Sequence, residues 1–381
     1  MTLHPHWGHD SLLTTLARAR LQGSLPAALL IHGSRGVGKQ HLALWLGRLL
    51  LCDAPASSGP CEECASCNLA LKLIHPDLHW YFPLPRPKAA ATPEKLAEAL
   101  ETARGEALQE IRGNPLRPIP VGEARSLYLA AARHLRRQAQ RRPTRSDTQV
   151  FVISDAETLA PQEASSEAAN ALLKVLEEPP RGTSLILTSG EPGRLLPTIR
   201  SRTAQLHLPP LSVGEVTGFL IQVAGIEEEE ARRVAAASQG AIGRALGFLP
   251  DGADPGPFEQ TRTAAWGLLS AALAPEPVSR FQAASTFKST GARGLMELLS
   301  FLEECLRDLA MTASGGGADG WQREESKVVA EVFAREAIHP TSVVLALRKV
   351  AEARVMASGN VNPQLLIFGL LHDLERELLG S

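Results

Sequence analysis

The feature of this chain that most constrains its fold is a glycine-rich loop at residues 33–40, which reads Gly-Ser-Arg-Gly-Val-Gly-Lys-Gln. A short apolar run precedes the loop, and a segment rich in Leu and Ala follows it. This is the order of a buried strand, a phosphate-binding loop and a helix, in which backbone N–H groups and the helix N-terminus face a polyphosphate. The loop therefore predicts an α/β domain built around a parallel sheet.

The loop departs from the usual pattern at its last position. Gly33, Gly36 and Gly38 supply the expected backbone, and Lys39 is placed to reach the phosphates. Gln40 stands where a Ser or Thr hydroxyl normally ligates Mg²⁺, and an amide is a poor substitute because Mg²⁺ demands compact octahedral geometry. Two interpretations stay open: the loop binds the phosphates of ATP or ADP, or it is a relic that is empty or closed by side chains.

Composition excludes several classes of protein. The net charge of −2 argues against a chain that binds nucleic acid over its whole surface, and the 4% of aromatic residues argues against base-stacking platforms. The N-terminus lacks the pattern of a signal peptide, and no uncharged apolar stretch reaches the ~18 residues of a membrane span. A cytoplasmic protein without membrane contact is expected.

Five short apolar runs, most of them separated by helical patterns, predict a five-stranded parallel sheet. The runs are residues 28–32, 77–82, 150–153, 184–188 and 204–208. Residues 83–117 interrupt this α/β block with a helical, solvated insertion whose role cannot be inferred. Ser212 and Glu215 have the spacing of a capping box and open a small helical unit, and a larger helical block follows.

Four of the five cysteines form a compact cluster with the spacing Cys-x8-Cys-x2-Cys-x2-Cys, namely Cys52, Cys61, Cys64 and Cys67. Four thiolates suit a tetrahedral Zn²⁺ site, and four protein ligands leave no open position, so the site would be structural. An iron–sulfur cluster is the main alternative, and unligated thiols are a further one. Disulfides are not expected in a reducing compartment.

A second nucleotide-binding element is altered as well. Phosphate-loop ATPases usually have an Asp at the end of a second strand to orient Mg²⁺, often followed by a Glu. Here the strand ending at Ile153 is followed by Ser154 and Asp155. Asp155 becomes the metal carboxylate only if the pattern slips by one residue, so this element is ambiguous alone.

Several segments together resemble the bacterial clamp-loader family of AAA+ proteins. They are Leu-Leu-Lys-Val-Leu-Glu-Glu-Pro-Pro at 172–180, the Ser201-Arg202-Thr203 segment with Thr in place of the usual Cys, His75-Pro76-Asp77, and the four cysteines. The order of these motifs is specific, and the resemblance covers nearly the whole chain, least in 83–117 and in the last block.

The resemblance implies a domain organisation for the chain. Residues 1–210 would form an α/β AAA+ module with a zinc-module insertion at 52–67 and a further insertion near 83–117. Residues 211–250 would form a small helical lid, and residues 251–381 an all-α collar domain used for oligomerisation.

The family contains two kinds of subunit between which the motifs discriminate. The motor type, called gamma or tau, has intact motifs and hydrolyses ATP, whereas the delta-prime type has the same fold with decayed motifs. This chain departs from the motor pattern at Gln40 and Ser154, and at Gly243, where the motor has an arginine. Arg244 lies one place later, about 100° around a helix. The departures favour the delta-prime type.

The resemblance gives a catalytic role to Arg202. In the family, the arginine of this segment enters a neighbouring subunit's ATP site as an arginine finger, where it neutralises charge developing on the γ-phosphate. The chain would then be a largely non-catalytic scaffold in a hetero-pentamer with gamma/tau and delta subunits, which loads the sliding clamp onto primed DNA. A surface arginine paired with a carboxylate is the simpler alternative.

Two other functions remain open at this stage. An ATP-hydrolysing motor subunit would require Lys39 to act on its own nucleotide. A zinc-containing DNA-binding module would use the cysteines together with a basic stretch that contacts phosphates. A solvated helix face is the simpler interpretation of this stretch. That stretch contains Arg133, Arg136, Arg137, Arg141, Arg142 and Arg145.

Overall fold

The structure is a computed structural model of the 381-residue chain. The residues that it describes are 6–87, 92–116, 125–159, 167–250, 252, 254–287, 291–313, 329, 331–332, 334–336, 338–357, 359 and 361–380. The chain divides into two compact units, of which the first runs to Leu246 and the second begins at Gly247.

A five-stranded parallel sheet forms the centre of the first unit and confirms the predicted fold class. The described strands of this unit, including two short ones outside the sheet, are β1 (Ala28–His32), β2 (Leu78–Tyr81), β3 (Leu84–Pro85), β4 (Arg125–Ser126), β5 (Gln149–Ile153), β6 (Thr183–Ser189) and β7 (Ala204–His207). The sheet has the order β2-β5-β6-β1-β7, and β3 and β4 form a separate antiparallel pair. All five predicted runs are strands of this sheet. The central strands β1, β5 and β6 are apolar and buried over most of their length, whereas the edge strand β7 is largely exposed.

Helices cover both faces of the sheet. Those of the first unit are α1 (Asp10–Leu21), α2 (Lys39–Leu51), α3 (Ala65–Leu71), α4 (Pro93–Gly113), α5 (Leu129–Ala139), α6 (Glu167–Glu177), α7 (Pro197–Arg200), α8 (Val213–Gln222), α9 (Glu228–Ala237) and the start of α10 (Ile242–Phe248). Successive residues of a strand point to opposite faces. Accordingly, Ile31 of β1 packs in one core cluster with Leu42 of α2, whereas Leu30 packs in the other with Leu172 of α6.

The predicted insertion contains the long helix α4, and residues 88–91 and 117 of it lie outside the described part of the chain. Thr92 caps this helix by accepting a hydrogen bond from the backbone N–H of Lys95. The expectation of a solvated helix is wrong for one face, because Leu100 is buried in the core with Trp80 and Phe82. The helix is amphipathic, so only its outer face is exposed.

Helices α8 and α9 follow the sheet and belong to the first unit. The predicted capping box is confirmed: the backbone N–H of Glu215 donates to the Ser212 hydroxyl, and the Glu215 carboxylate accepts from the N–H of Ser212. The proposed domain boundaries at residues 210 and 250 stay predictions.

The second unit is helical in its described part. Its helices are α11 (Pro257–Leu273), α12 (Pro277–Thr286), α13 (Gly291–Ala313), α14 (Pro340–Ala357) and α15 (Pro363–Leu379). The rings of Phe248, Phe258 and Phe301 meet in its core, with centroids 5.8–6.0 Å apart. The buried Arg280 of α12 forms an ion pair of 2.8 Å with Glu375 of α15. Among the described helices of the chain, none combines the length and apolar content that a membrane span requires.

A buried carboxylate connects the sheet to the loop that precedes β5. Asp77, at the start of β2, is 2% exposed and accepts backbone N–H bonds from Thr144, Arg145 and Ser146 at 2.5, 2.8 and 2.9 Å. Burial raises the pKa of Asp77, but these three bonds and the nearby His75 lower it by more, so the net shift is downward. The ionised carboxylate therefore stabilises the folded state.

We predict that Asp77→Asn lowers the free energy of unfolding at neutral pH by about 2–3 kcal/mol, because hydrogen bonds to a charged acceptor are lost. The folded-state pKa of Asp77 lies below the ordinary value of 3.8, so its contribution is complete above that value and is lost as the pH falls through the folded-state pKa. Urea unfolding across this range should show the difference between the proteins shrinking with acidification. Asp147→Asn, at an exposed carboxylate of the same loop, serves as the control, and an equal loss in both variants would contradict the prediction.

Candidate functional site

The glycine-rich loop lies at the carboxyl end of β1, packed between β7 and α10. Gly36 has φ +82°, a left-handed conformation that favours glycine. A Cβ atom at Gly36 would lie 2.8 Å from the backbone nitrogen of Arg244, and one at Gly33 would lie 2.3 Å from the carbonyl oxygen of Leu208. Larger residues at these two positions would therefore clash with backbone.

Lys39 is directed at the loop to which it belongs. It follows Gly38, the N-cap residue of α2, and only 5% of it is exposed. Its ammonium group donates to the carbonyl oxygens of Gly33 and Ser34 at 2.9 and 2.8 Å, and burial lowers its pKa. Gln40 is half-buried beside it. The lysine thus closes its own loop through hydrogen bonds to backbone carbonyls.

The position expected to hold a metal-binding carboxylate is occupied by a hydroxyl that belongs to the core. Ser154 follows β5 and is fully buried, and its Oγ accepts a hydrogen bond of 2.8 Å from the indole N–H of Trp80. Asp155 is in a left-handed conformation, with φ +48°, and its backbone N–H donates to the Thr188 hydroxyl at 3.1 Å. The Ser154 side chain is therefore committed to a contact within the protein.

Sequence reasoning missed Glu157, which lies in the 3-10 turn after β5. One of its carboxylate oxygens accepts a hydrogen bond of 2.9 Å from the backbone N–H of Gly190, at the end of β6. Burial, and then the negative charge of Asp155, raise the pKa of Glu157, while both carboxylates oppose the downward shift of the Lys39 pKa. The sequence signal for this residue was an acidic side chain two positions after Asp155. Its position relative to Lys39 depends on the 3-10 turn, which the sequence pattern did not predict.

The backbone at position 243 contacts the phosphate-binding loop directly. The N–H of Gly243 donates to the carbonyl oxygen of Gly36 at 2.8 Å. Gly243 is the second residue of α10, where an N–H group has no partner within the helix. The start of this helix is therefore fastened directly to the phosphate-binding loop.

Arg202 and the glycine-rich loop lie at opposite edges of the sheet. Arg202 precedes β7, whose first residue, Ala204, pairs with Leu29 near the start of β1, so it is at the amino edge of the sheet. The glycine-rich loop is at the carboxyl edge, and the five residues of β1 separate the two edges by about 16 Å. The structure therefore does not bring Arg202 together with Lys39.

Arg202 is exposed and forms the ion pair that the simpler interpretation expected. Its guanidinium contacts the carboxylate of Glu177, the last residue of α6, at 2.9 Å. The other terminal nitrogen donates to the carbonyl oxygen of Thr198 at 3.1 Å. Both partners are on the surface, so this pair alone contributes little to stability.

The structure brings the four cysteines together as predicted. The sulfur atoms of Cys52, Cys61, Cys64 and Cys67 all lie within 4.8 Å of one another, and those of Cys61 and Cys67 are 3.9 Å apart. Four thiolates at ordinary zinc–sulfur distances around one ion would be about 3.8 Å apart. The cluster could therefore hold one tetrahedral metal ion, whereas the atoms of an iron–sulfur cluster would force the sulfurs further apart.

Backbone N–H groups support the cysteine sulfurs, as is typical of a metal-binding turn. The backbone N–H groups of Cys61, Cys64 and Cys67 donate to the sulfur atoms of Cys52, Cys61 and Cys64, respectively, at 3.3–3.4 Å. The N–H groups of Cys64 and Glu63 lower the pKa of the Cys61 thiol to about 6, which favours the thiolate. Burial raises the pKa values of Cys52 and Cys67, and a bound cation would oppose that effect.

The basic stretch forms an exposed surface at the end of α5 and in the following loop. Its arginines are all exposed: Arg133, Arg136, Arg137, Arg141, Arg142 and Arg145. The buried Gln149 donates to the carbonyl oxygens of Ala139 and Arg141, and the guanidinium of Arg145 donates to Ser66, next to Cys67. This surface is thus continuous with the cysteine module.

Comparison with known proteins gives the family. The model of the family described as DNA polymerase III, delta subunit matches residues 8–212, more than half of the chain. The chain is 33% identical over 190 residues to the DNA polymerase III subunit delta' of Pseudomonas aeruginosa, with 48% of this chain and 43% of the relative covered.

A tau subunit and a solved structure are also similar to the chain. It is 27% identical over 209 residues to the DNA polymerase III subunit tau of Escherichia coli, with 55% of this chain and 26% of the relative covered. The solved structure of a gamma subunit-related protein from Thermotoga maritima is 14% identical, covers 96% of this chain and 99% of its own, and has a TM-score of 0.38.

The chain spans less than half the length of these curated relatives, which are 43% and 26% covered. The family match nevertheless includes the glycine-rich loop, the cysteine cluster and Arg202, and it confirms the resemblance on which the sequence interpretation rests. The chain belongs to the DNA polymerase III, delta subunit family.

Proposed function

We propose that this chain acts as a delta-prime type subunit of a bacterial clamp loader, a largely non-catalytic scaffold that supplies Arg202 to the ATP site of a neighbouring subunit. The observation that carries the proposal is the position of Arg202 at the amino edge of the sheet, opposite the edge that bears its own phosphate-binding loop. An arginine in that position cannot act on a nucleotide bound to the same chain, but it is exposed to a second subunit.

The interactions of the retained Lys39 and of the altered positions Ser154 and Gly243 support the scaffold over the motor. Lys39 bonds carbonyl oxygens of its own loop, Ser154 bonds Trp80, and the backbone of Gly243 bonds Gly36. Ser154 offers no carboxylate to orient Mg²⁺, and Gly243 has no side chain that could contact a γ-phosphate, as a hydrolytic site would require. Binding of ATP or ADP without hydrolysis remains compatible with Gly33, Gly36, Gly38 and Lys39.

The proposed partners follow from the family. The chain would assemble with gamma/tau and delta subunits into a hetero-pentamer in the cytoplasm, through the helical block at residues 251–381. The α/β block and a lid at residues 211–250 would place Arg202 beside a motor subunit. The assembled complex would load the sliding clamp onto primed DNA.

We further propose that Cys52, Cys61, Cys64 and Cys67 bind one structural zinc ion. The spacing of the sulfurs fits a single tetrahedral ion with no open position, which argues against a catalytic metal. The ion would fix the turn that joins α2 to α3. The residues themselves would contribute thiolate ligands and the N–H groups that orient them.

Replacing the proposed finger tests the function. We expect Arg202→Ala to leave assembly intact and to lower the DNA-stimulated ATPase of the reconstituted complex, up to about 10³-fold at the site that receives the arginine, because charge on the γ-phosphate is no longer neutralised. Arg194→Ala is a matched control, since Arg194 is an exposed arginine that pairs only with Glu191 in the described structure. Unchanged ATPase in the Arg202 variant would refute the role.

Hydrolysis by the isolated chain would support the motor interpretation instead. If the purified protein hydrolyses ATP and Lys39→Ala abolishes that activity, the scaffold proposal is wrong. Absence of turnover together with measurable ATP or ADP binding would assign the loop a binding role only.

The zinc proposal predicts one zinc ion per chain by elemental analysis. Cys64→Ser should lower the zinc content and the melting temperature, because binding energy of a structural ion is part of the folding energy. Cys305→Ser should keep the full zinc content, since Cys305 is buried in α13 of the second unit. Iron with visible absorbance in freshly purified protein would overturn the assignment.

A further inference from the structure

Two motifs that are separate in the sequence meet in one contact. The Leu-Glu-Glu-Pro-Pro segment ends α6 at Glu177, and the Ser-Arg segment follows α7. Proline lacks an N–H group and disfavours helical conformation in the residue before it, so Pro179 and Pro180 fix the point where the helix ends. Glu177 is therefore presented at a defined place, opposite Arg202.

Three acceptors from two elements surround the Arg202 guanidinium. The Glu177 carboxylate lies 2.9 Å from one terminal nitrogen, and the other terminal nitrogen is 3.1 Å from the Thr198 carbonyl oxygen and 3.5 Å from the Ser201 hydroxyl. Thr198 and Ser201 belong to the same turn as the arginine, so Glu177 is the one that ties it to another element. Without it, the end of the side chain is held only by its own turn.

The exposure of the pair is informative about its role. The side chain of Arg202 is 36% exposed and that of Glu177 is 47% exposed, so water screens their attraction. Such pairs are worth roughly 0–1 kcal/mol, too little to explain the contact by stability. The pair nevertheless restricts the Arg202 side chain to one rotamer before a partner subunit binds. The entropy cost of that restriction then does not fall on the binding step, which is the advantage of preorganisation.

The pair also leaves the arginine able to bind an anion. A guanidinium has five N–H donors in a fixed plane. Glu177 and Thr198 accept from the two terminal nitrogens, and donors remain for an incoming phosphate. A weak, screened pair can share or exchange its partner with a triphosphate at low cost.

We propose that Glu177 is a positioning residue, which holds the guanidinium of Arg202 in the orientation that meets the nucleoside triphosphate of a neighbouring subunit. The proposal rests on the role of Arg202 proposed above. Glu177 does not touch the nucleotide; it acts through Arg202. The Glu-Glu-Pro-Pro motif thereby gains a role beyond packing and helix termination.

Two measurements on Glu177→Gln test the proposal. The first is the rate of phenylglyoxal modification of Arg202 in the isolated chain, followed by mass spectrometry, which reports the contact itself. The second is the DNA-stimulated ATPase of the reconstituted complex. Glu178→Gln is the matched control, because Glu178 is the adjacent exposed glutamate and forms no ion pair among the described residues.

We expect Glu177→Gln to raise the modification rate of Arg202 several-fold and to lower the maximal ATPase rate by about 2- to 5-fold, which is what a screened pair can contribute and less than the loss of the finger itself. The ATP concentration at half-maximal rate should not change, since the neighbouring subunit binds the nucleotide. Glu177→Asp should recover part of the rate, because it retains the charge at shorter reach. Glu178→Gln should change neither quantity.

The remaining outcomes separate this proposal from the proposed function. If Arg202→Ala lowers the ATPase while Glu177→Gln does not, the positioning role is overturned and the finger stands. If Glu177→Gln exposes Arg202 to the reagent without loss of ATPase, the contact exists but does not position the finger. If neither variant lowers the ATPase, the proposed function fails, and the positioning role with it.

Discussion

The hydrogen bonding of β1 on both sides is the constraint on which the first unit depends. β1 pairs with β6 on one side and with β7 on the other, and the glycine-rich loop follows it directly. The segments that contain Glu177 and Arg202 lead into these two neighbouring strands at the opposite edge of the sheet. Because all three strands are parallel, one set of backbone hydrogen bonds fixes the loop at one edge and the arginine at the other.

Three positions of the nucleotide-binding architecture, the retained Lys39 and the altered Ser154 and Gly243, make ordinary interactions within the protein. A buried hydroxyl accepts from an indole at Ser154, an ammonium group bonds carbonyl oxygens at Lys39, and a helix N–H is satisfied by a loop carbonyl at Gly243. The interactions of Ser154 and Lys39 each pair a buried polar group that would otherwise be costly. The same backbone architecture can thus be maintained by packing and hydrogen bonding in place of ligand contacts.

Local patterns predicted most of the fold and part of the site. The central strands β1, β5 and β6 were predictable because a strand buried on both faces must be apolar over its length, and the cysteine cluster because its ligands are close in sequence. The buried face of α4 was missed because its Glu-rich surface dominates the segment, although Leu100 lies in the core. Glu157 and Glu177 were missed because their partners, Gly190 and Arg202, are distant in the chain. Such contacts depend on the strand order, which no local pattern contains.

The bond between Gly243 and Gly36 has a consequence for how sequences of this kind can diverge. Both of its atoms belong to the main chain, so any residue except proline at position 243 would still provide the donor. One codon change can remove an arginine side chain that contacts a phosphate, whereas the same change leaves this backbone hydrogen bond intact unless it introduces proline. Position 243 can therefore lose or acquire a functional side chain while the loop and α10 stay joined through the main chain.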